Sequence, residues 1–183
     1  MFRWFLEPGH TAAEFSVRHM MVTHVRGHFK NVHGSLEFDP SSPEASRVEA
    51  TIDTRGLWSG EPDRDAHLRS PDFLDVENFP EITFTSSAVR VMSPNEAIVT
   101  GALTIRGVTK PVALDVVYLG QWETPWWQEG VDQGPKTRAG FVATTRINRH
   151  DFGVSWNSPL ARGGIVVGDQ VLITIDVEAI LES

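Results

Sequence analysis

The chain has 183 residues, no cysteine and a formal net charge of −8. That length favours one domain, 1–183, with enough chain to bury a substantial core. The acidic balance argues against a nucleic-acid partner, which needs a concentrated basic face. The missing cysteines exclude disulfides, thiol nucleophiles and Cys-ligated metal together.

Met1-Phe2-Arg3-Trp4 runs straight into strand-like sequence, so no export signal is expected, and no apolar run is long enough to span a bilayer. The expectation is a cytoplasmic protein without a transmembrane segment. Period-two alternation then begins. Ala13, Phe15 and Val17 alternate with Glu14, Ser16 and Arg18. By parity His19 continues the apolar side and points inward, followed by the flexible side chains of Met20 and Met21. After the Asp39–Pro43 turn, Val48, Ala50 and Ile52 repeat the pattern.

Gly60 to Asp75 is the clearest helical interruption. Ser70-Pro71-Asp72 predicts a helix start, with a Ser cap, Pro at the first position and an acid in the first turn. Arg64, His67 and Leu68 share one face of a short helix, and Asp65 is expected to pair with Arg69 on the solvent side. Beyond it, alternation returns at Ile82 and Phe84, then at Val99 to Ile105. Val112 to Leu119 is apolar on nearly every position, which predicts cover on both faces, from a second subunit or from the chain's own loops.

Gln121 to Lys136 carries Trp122, Trp126 and Trp127 in what reads as a long loop. The default expectation is packing beneath that loop, with a ligand rim or an interface as alternatives. Phe141 to Ile147 and Val171 to Val177 alternate again, separated by the Arg149-His150-Asp151-Phe152-Gly153 corner. There Arg149 either pairs with Asp151 or faces an anionic group. About eight antiparallel strands result, with one dry side each. A closed barrel and a two-sheet sandwich predict the same alternation.

The chemistry-bearing residues are sparse. Seven histidines invite a metal, but His24 and His28 on one strand face lie roughly 13 Å apart, too far to share an ion. No HEXXH signature, nucleophile elbow or phosphate loop is present, so no metal, cofactor or catalytic residue is assigned. His19, at the end of a dry wall, either meets a ligand's polar group or is a core histidine bonded to backbone. Arg64 and His67 face the same choice, with tethering of the insert as the structural reading.

Several segments together resemble the YceI-like family of polyisoprenoid-binding proteins. They are HTAAEFSVRHMMVTHVRGHF at 10–29, RDAHLRSPDFLDVENFPEITFTS at 64–86, GALTIRGVTKPVALDV at 101–116, INRHDFGVSW at 147–156 and VGDQVLITIDVEAI at 167–180. The Trp122–Pro135 stretch departs from that pattern. The resemblance implies an all-β fold, an extended antiparallel eight-stranded lipocalin-like β-barrel with a short helical insert near residues 61–76. It also implies a long hydrophobic pocket for an isoprenoid or similar lipid, and commonly a homodimer.

On that reading Phe15, Val17, Met20, Met21, Phe29, Leu36, Phe84, Leu103, Ile105, Leu114, Phe141 and Ile173 contact a ligand tail. His19, Arg64, His67 and Arg149 contact its headgroup, a phosphate or a quinone ring. The expected function is non-enzymatic lipid binding. The alternatives are an enzyme acting on a barrel-bound lipid with His67 or His19 as general base, and a scaffold whose barrel is filled by its own side chains.

Overall fold

In the computed structural model, which describes residues 1–182, the alternating stretches form eleven strands in one antiparallel sheet. Several are head-to-tail pieces of one wall. β1 (Phe2–Leu6) and β2 (Ala12–His19) both pair with the last strand, β11 (Val167–Leu181). β3 (Thr23–Phe29) and β4 (Val32–Phe38) run along them, and β5 (Arg47–Asp53) with β6 (Leu57–Trp58) follows. β7 (Glu81–Ser93), β8 (Glu96–Ile105), β9 (Val108–Gln128) and β10 (Val131–Asn148) continue the meander to β11. The return of β11 to β1 and β2 closes an eight-stranded barrel. Closure removes most of the open edge, with Thr23 to Gly27 of β3 lacking a strand on one side, and it decides between the barrel and the sandwich that alternation left open.

Inward parity puts Phe15, Ile52, Phe84, Leu103, Ile147 and Ile173 against one another in the interior. The meander defines two ends. The upper end carries the β2–β3 turn at Met20–Val22, the excursion from Ser59 to Pro80, and the loop over residues 149–166. The lower end carries the Asp39–Ser46 connection and the Pro94–Asn95 turn.

The helix in the upper excursion, α1, spans Pro62–Arg69 and starts earlier than expected. Glu61 is its cap, accepting hydrogen bonds from the amides of Asp63 and Arg64, with Pro62 at the first position. Ser70 instead ends the helix: its backbone is extended and its Oγ donates to the His67 carbonyl at 2.7 Å. Both Glu61-Pro62 and Ser70-Pro71 satisfy the Pro-at-start rule. Only the first is followed by a full run of helical hydrogen bonds, and residues 71–74 are turns.

The tryptophan segment is a hairpin, not a loop. β9 outruns β8, so Leu119 to Gln128 pairs with β10 alone. Trp126 packs edge-on to Phe5 at 6.4 Å, with the Arg138 guanidinium 5.1 Å from its ring centroid. Trp122 and Trp127 are 76% and 61% exposed, so among the described residues nothing covers these two. Val112 to Leu119 alternates after all. Leu114 is buried inward, while Val117 and Leu119 point outward at 38% and 65% exposure with no loop over them.

Candidate functional site

A cavity of about 460 Å³ runs inside the barrel, within the range of small-molecule sites. Its wall reaches from Arg18, His19, Arg64 and His67 at the upper end to Pro40, Pro43, Pro94 and Asn95 at the lower. Between them the lining is almost wholly aliphatic and aromatic, because every strand turns its apolar parity inward. Phe15, Val17, Phe29, Leu36, Phe84, Leu103, Ile105, Leu114, Phe141 and Ile173 all stand on that wall. An open interior is at odds with a barrel filled by its own side chains.

Met20 and Met21 do not line the cavity. After His19 the chain reverses through φ values of 51° and 64° at these two residues, and both side chains are exposed. Strand alternation predicts facing only while the strand lasts, and the turn ends it.

α1 and the residues after it cover the upper end. β6 pairs with β3 only at His28 and Phe29, so Thr23 to Gly27 have no strand on that side. Arg64, His67 and Leu68 of α1 reach the cavity from the same helix face. Phe73 and Trp156 meet the His67 ring edge-on, with centroids 5.0 and 4.8 Å away, and lie 5.4 Å from each other. Arg106 ties this cover to the barrel through the Phe73 carbonyl at 2.9 Å. Trp156 and Phe73 are cavity residues that parity missed, since neither belongs to an alternating strand.

The polar groups at this end are largely engaged. Arg64 donates from Nε to Ser59 Oγ and from Nη2 to the Ser59 carbonyl, both at 2.8 Å. His67 Nε2 lies 2.8 Å from the Asp72 carboxylate. Asp65 is buried rather than solvent-facing, and accepts from the Ser59 amide at 2.9 Å and from Ser59 Oγ. The expected Asp65–Arg69 pair is absent, as Arg69 donates to the Leu57 carbonyl. Asp65→Ala should therefore strip the charged acceptor from the half-buried Ser59 amide, at about 1–3 kcal/mol. Hydrogen exchange should quicken across residues 59–69 while β8 to β10 keep their protection; unchanged exchange in α1 would reject that role.

Arg149 is 4% exposed, and its guanidinium donates to the carbonyls of Val154, Gly168, Trp156 and Val167 at 2.7, 2.8, 2.9 and 3.2 Å. It does not pair with Asp151: among the described residues no carboxylate lies within ion-pair distance of it. Burial pulls it below the usual arginine range, with Asp169 opposing. A largely desolvated cation thus borders the upper cavity, held by carbonyl dipoles. At the lower end Phe38, Tyr118 and Phe141 form an aromatic group with centroids 5.1–5.2 Å apart, and burial raises the Tyr118 phenol above its ordinary range.

Among the described residues, Glu7, His10 and Glu178 bring metal-ligand atoms closest together, on the outer wall and away from the cavity. His10 Nδ1 sits 2.6 Å from Glu7, and Glu178 is already paired with Arg138, so a hydrogen bond and an Arg–Glu pair account for the group. No helix among the described residues is long and apolar enough to cross a membrane.

Known proteins share this architecture. A UPF0312 protein of Pseudomonas putida (strain W619) is 39% identical over 148 residues, covering 81% of this chain and 73% of its own. Burkholderia cenocepacia BcnA superposes with a TM-score of 0.77 at 23% identity, covering 94% of this chain and 98% of its own. A polyisoprenoid binding domain from Saccharophagus degradans, implicated in plant cell wall breakdown, superposes at 0.69 with 12% identity and full coverage of both chains. The YceI-like domain matches residues 4–179, nearly the whole chain, and so the chain belongs to the YceI-like family.

Proposed function

We propose that this protein binds a long-chain isoprenoid lipid, a polyprenyl phosphate or an isoprenoid quinone, without transforming it. The observation that carries this reading is the polarity of the cavity: an apolar wall along its length, with Arg18, His19, Arg64, His67 and Arg149 at its upper end. Each methylene withdrawn from water contributes about 0.8 kcal/mol, so a long tail binds well without specific contacts. The ten wall residues from Phe15 to Ile173 named above hold the tail, and His19, Arg64, His67 and Arg149 face the head. The polyisoprenoid binding domain of the same fold supports this ligand class. Extraction of protein purified from its native host, followed by mass spectrometry, should recover an isoprenoid lipid. Protein that is empty and ignores added polyprenyl phosphate and quinone would refute the reading.

One observation favours an enzyme instead: the His67–Asp72 contact has the form of a base oriented by a carboxylate. That reading predicts chemical change in lipid incubated with the protein, whereas simple binding predicts recovery of intact lipid. A homodimer through the outer face of β9 would cover Val117 and Leu119. Leu119→Lys should then shift the protein to monomer in a sedimentation concentration series, and a wild type monomeric throughout would reject the dimer.

A further inference from the structure

The β2–β3 turn is built against local preference. Met20 and Met21 both have positive φ, and the Val22 amide donates to the His19 carbonyl at 3.2 Å, within a three-residue loop between the paired His19 and Thr23. Two consecutive positive φ values favour Asn-Gly, because bulky residues there are strained. Arg106–Gly107 and Glu129–Gly130, also consecutive at positive φ, each place glycine second. The Met20–Met21 turn has none, and Met20, Met21 and Val22 are 42%, 43% and 85% exposed. Strain and solvated apolar surface therefore coincide.

Neighbouring groups hold this conformation. The Met20 amide donates to the Val166 carbonyl at 2.8 Å, and Arg18 donates to the Met21 carbonyl from Nε and Nη2 at 3.1 and 2.7 Å. The backbone is pinned while the side chains face outward. A basic group stands at the base of the tip in Arg18, while Arg26, farther along β3, is already paired with Glu14 at 3.3 Å. Arg162 is exposed on the loop whose Gly164 lies against Met21. His19, at the base of the turn, is itself a cavity-wall residue.

We infer that this turn is a bilayer-docking tip, inserting Met20, Met21 and Val22 into an anionic phospholipid surface at the upper mouth of the tunnel. The inference rests on the tunnel reading for its purpose, since a long isoprenoid resides in bilayers and must leave one to enter the barrel. Three side chains are far too few for a stable protein interface, which takes about 800 Å² from each partner. They suffice for a membrane surface, where apolar insertion and attraction of basic groups to anionic lipid act together. Cargo then moves between bilayer and tunnel beside α1 without crossing open water.

The test is flotation of the full chain with phosphatidylcholine vesicles, with and without phosphatidylglycerol, beside a Met20→Asn, Met21→Gly, Val22→Ser variant. Asn-Gly suits the turn, so this variant should melt no lower than the wild type. The wild type should float with phosphatidylglycerol vesicles and be released by salt. The variant's vesicle affinity should fall at least about tenfold, the effect of withdrawing one buried Met-sized side chain. Polyprenyl phosphate supplied in detergent reports on the tunnel alone and should bind both proteins equally. A wild type that binds that lipid but ignores vesicles would overturn docking and leave the tunnel reading standing; flotation without lipid binding would do the reverse. Equal flotation of wild type and variant overturns docking. So does self-association that the variant abolishes in a wild type that does not float, which would make the occupant a second copy.

Discussion

Arg149→Met should be the most destabilising single substitution outside the aliphatic core, costing about 3–5 kcal/mol. The guanidinium is the shared partner of carbonyls from residues 154, 156, 167 and 168, and methionine leaves all of them without that donor. Removal of a buried cation returns part of the loss, and water entering the site returns some more. At about 2–4 °C per kcal/mol for a chain of this size, the melting temperature should fall by about 10 °C. Asp151→Asn is the control, because Asp151 is exposed and does not touch Arg149. It should change stability by no more than about 0.5 kcal/mol. Comparable losses in the two variants would mean that the corner is closed by an ion pair, and that the carbonyl staple is not what matters.

Ala143→Trp should abolish tail binding while leaving a folded barrel. Ala143 lies on the cavity wall, paired in register with Val116 and Ile175, and is 6% exposed. A ring added there projects into the space a lipid tail would take. Overpacking of a filled core costs about 1–3 kcal/mol, and an open cavity should lower that cost. Displacing even four methylenes from the wall removes about 3 kcal/mol, a loss of at least a hundredfold in affinity. Competition against a fluorescent polyprenyl phosphate measures it, and circular dichroism verifies the fold. Undiminished affinity in folded Ala143→Trp protein would move the lipid to some other surface.

The strand-borne part of the cavity wall was legible in the sequence. Phe15, Phe84, Leu103 and Ile173 could be placed by parity, because a strand with one dry side writes its facing into every second position. Met20 and Met21 show where that rule stops. They continue the apolar run in sequence, but a hydrogen bond from Val22 to His19 reverses the chain and turns them outward. The helix face carrying Arg64, His67 and Leu68 followed from spacing alone, whereas its start did not. Two Pro-led starts competed, and only the tertiary position of Ser59 and Leu57 explains where Asp65 and Arg69 go.

The all-β character, the inward apolar faces, the shared helix face of Arg64, His67 and Leu68 and the lack of cysteine chemistry can be read along the chain. Local rules suffice there, since alternation and capping depend on neighbours within a few positions. Alternation left barrel and sandwich open and the family resemblance implied the barrel, which the structure bears out where β11 meets β1 and β2 across most of the chain. Tertiary structure alone decided that Arg149 holds carbonyls instead of Asp151, and that Trp122 and Trp127 stand exposed on a hairpin. Each of these rests on contacts between distant residues, and a one-dimensional pattern carries no record of which distant groups will satisfy one another.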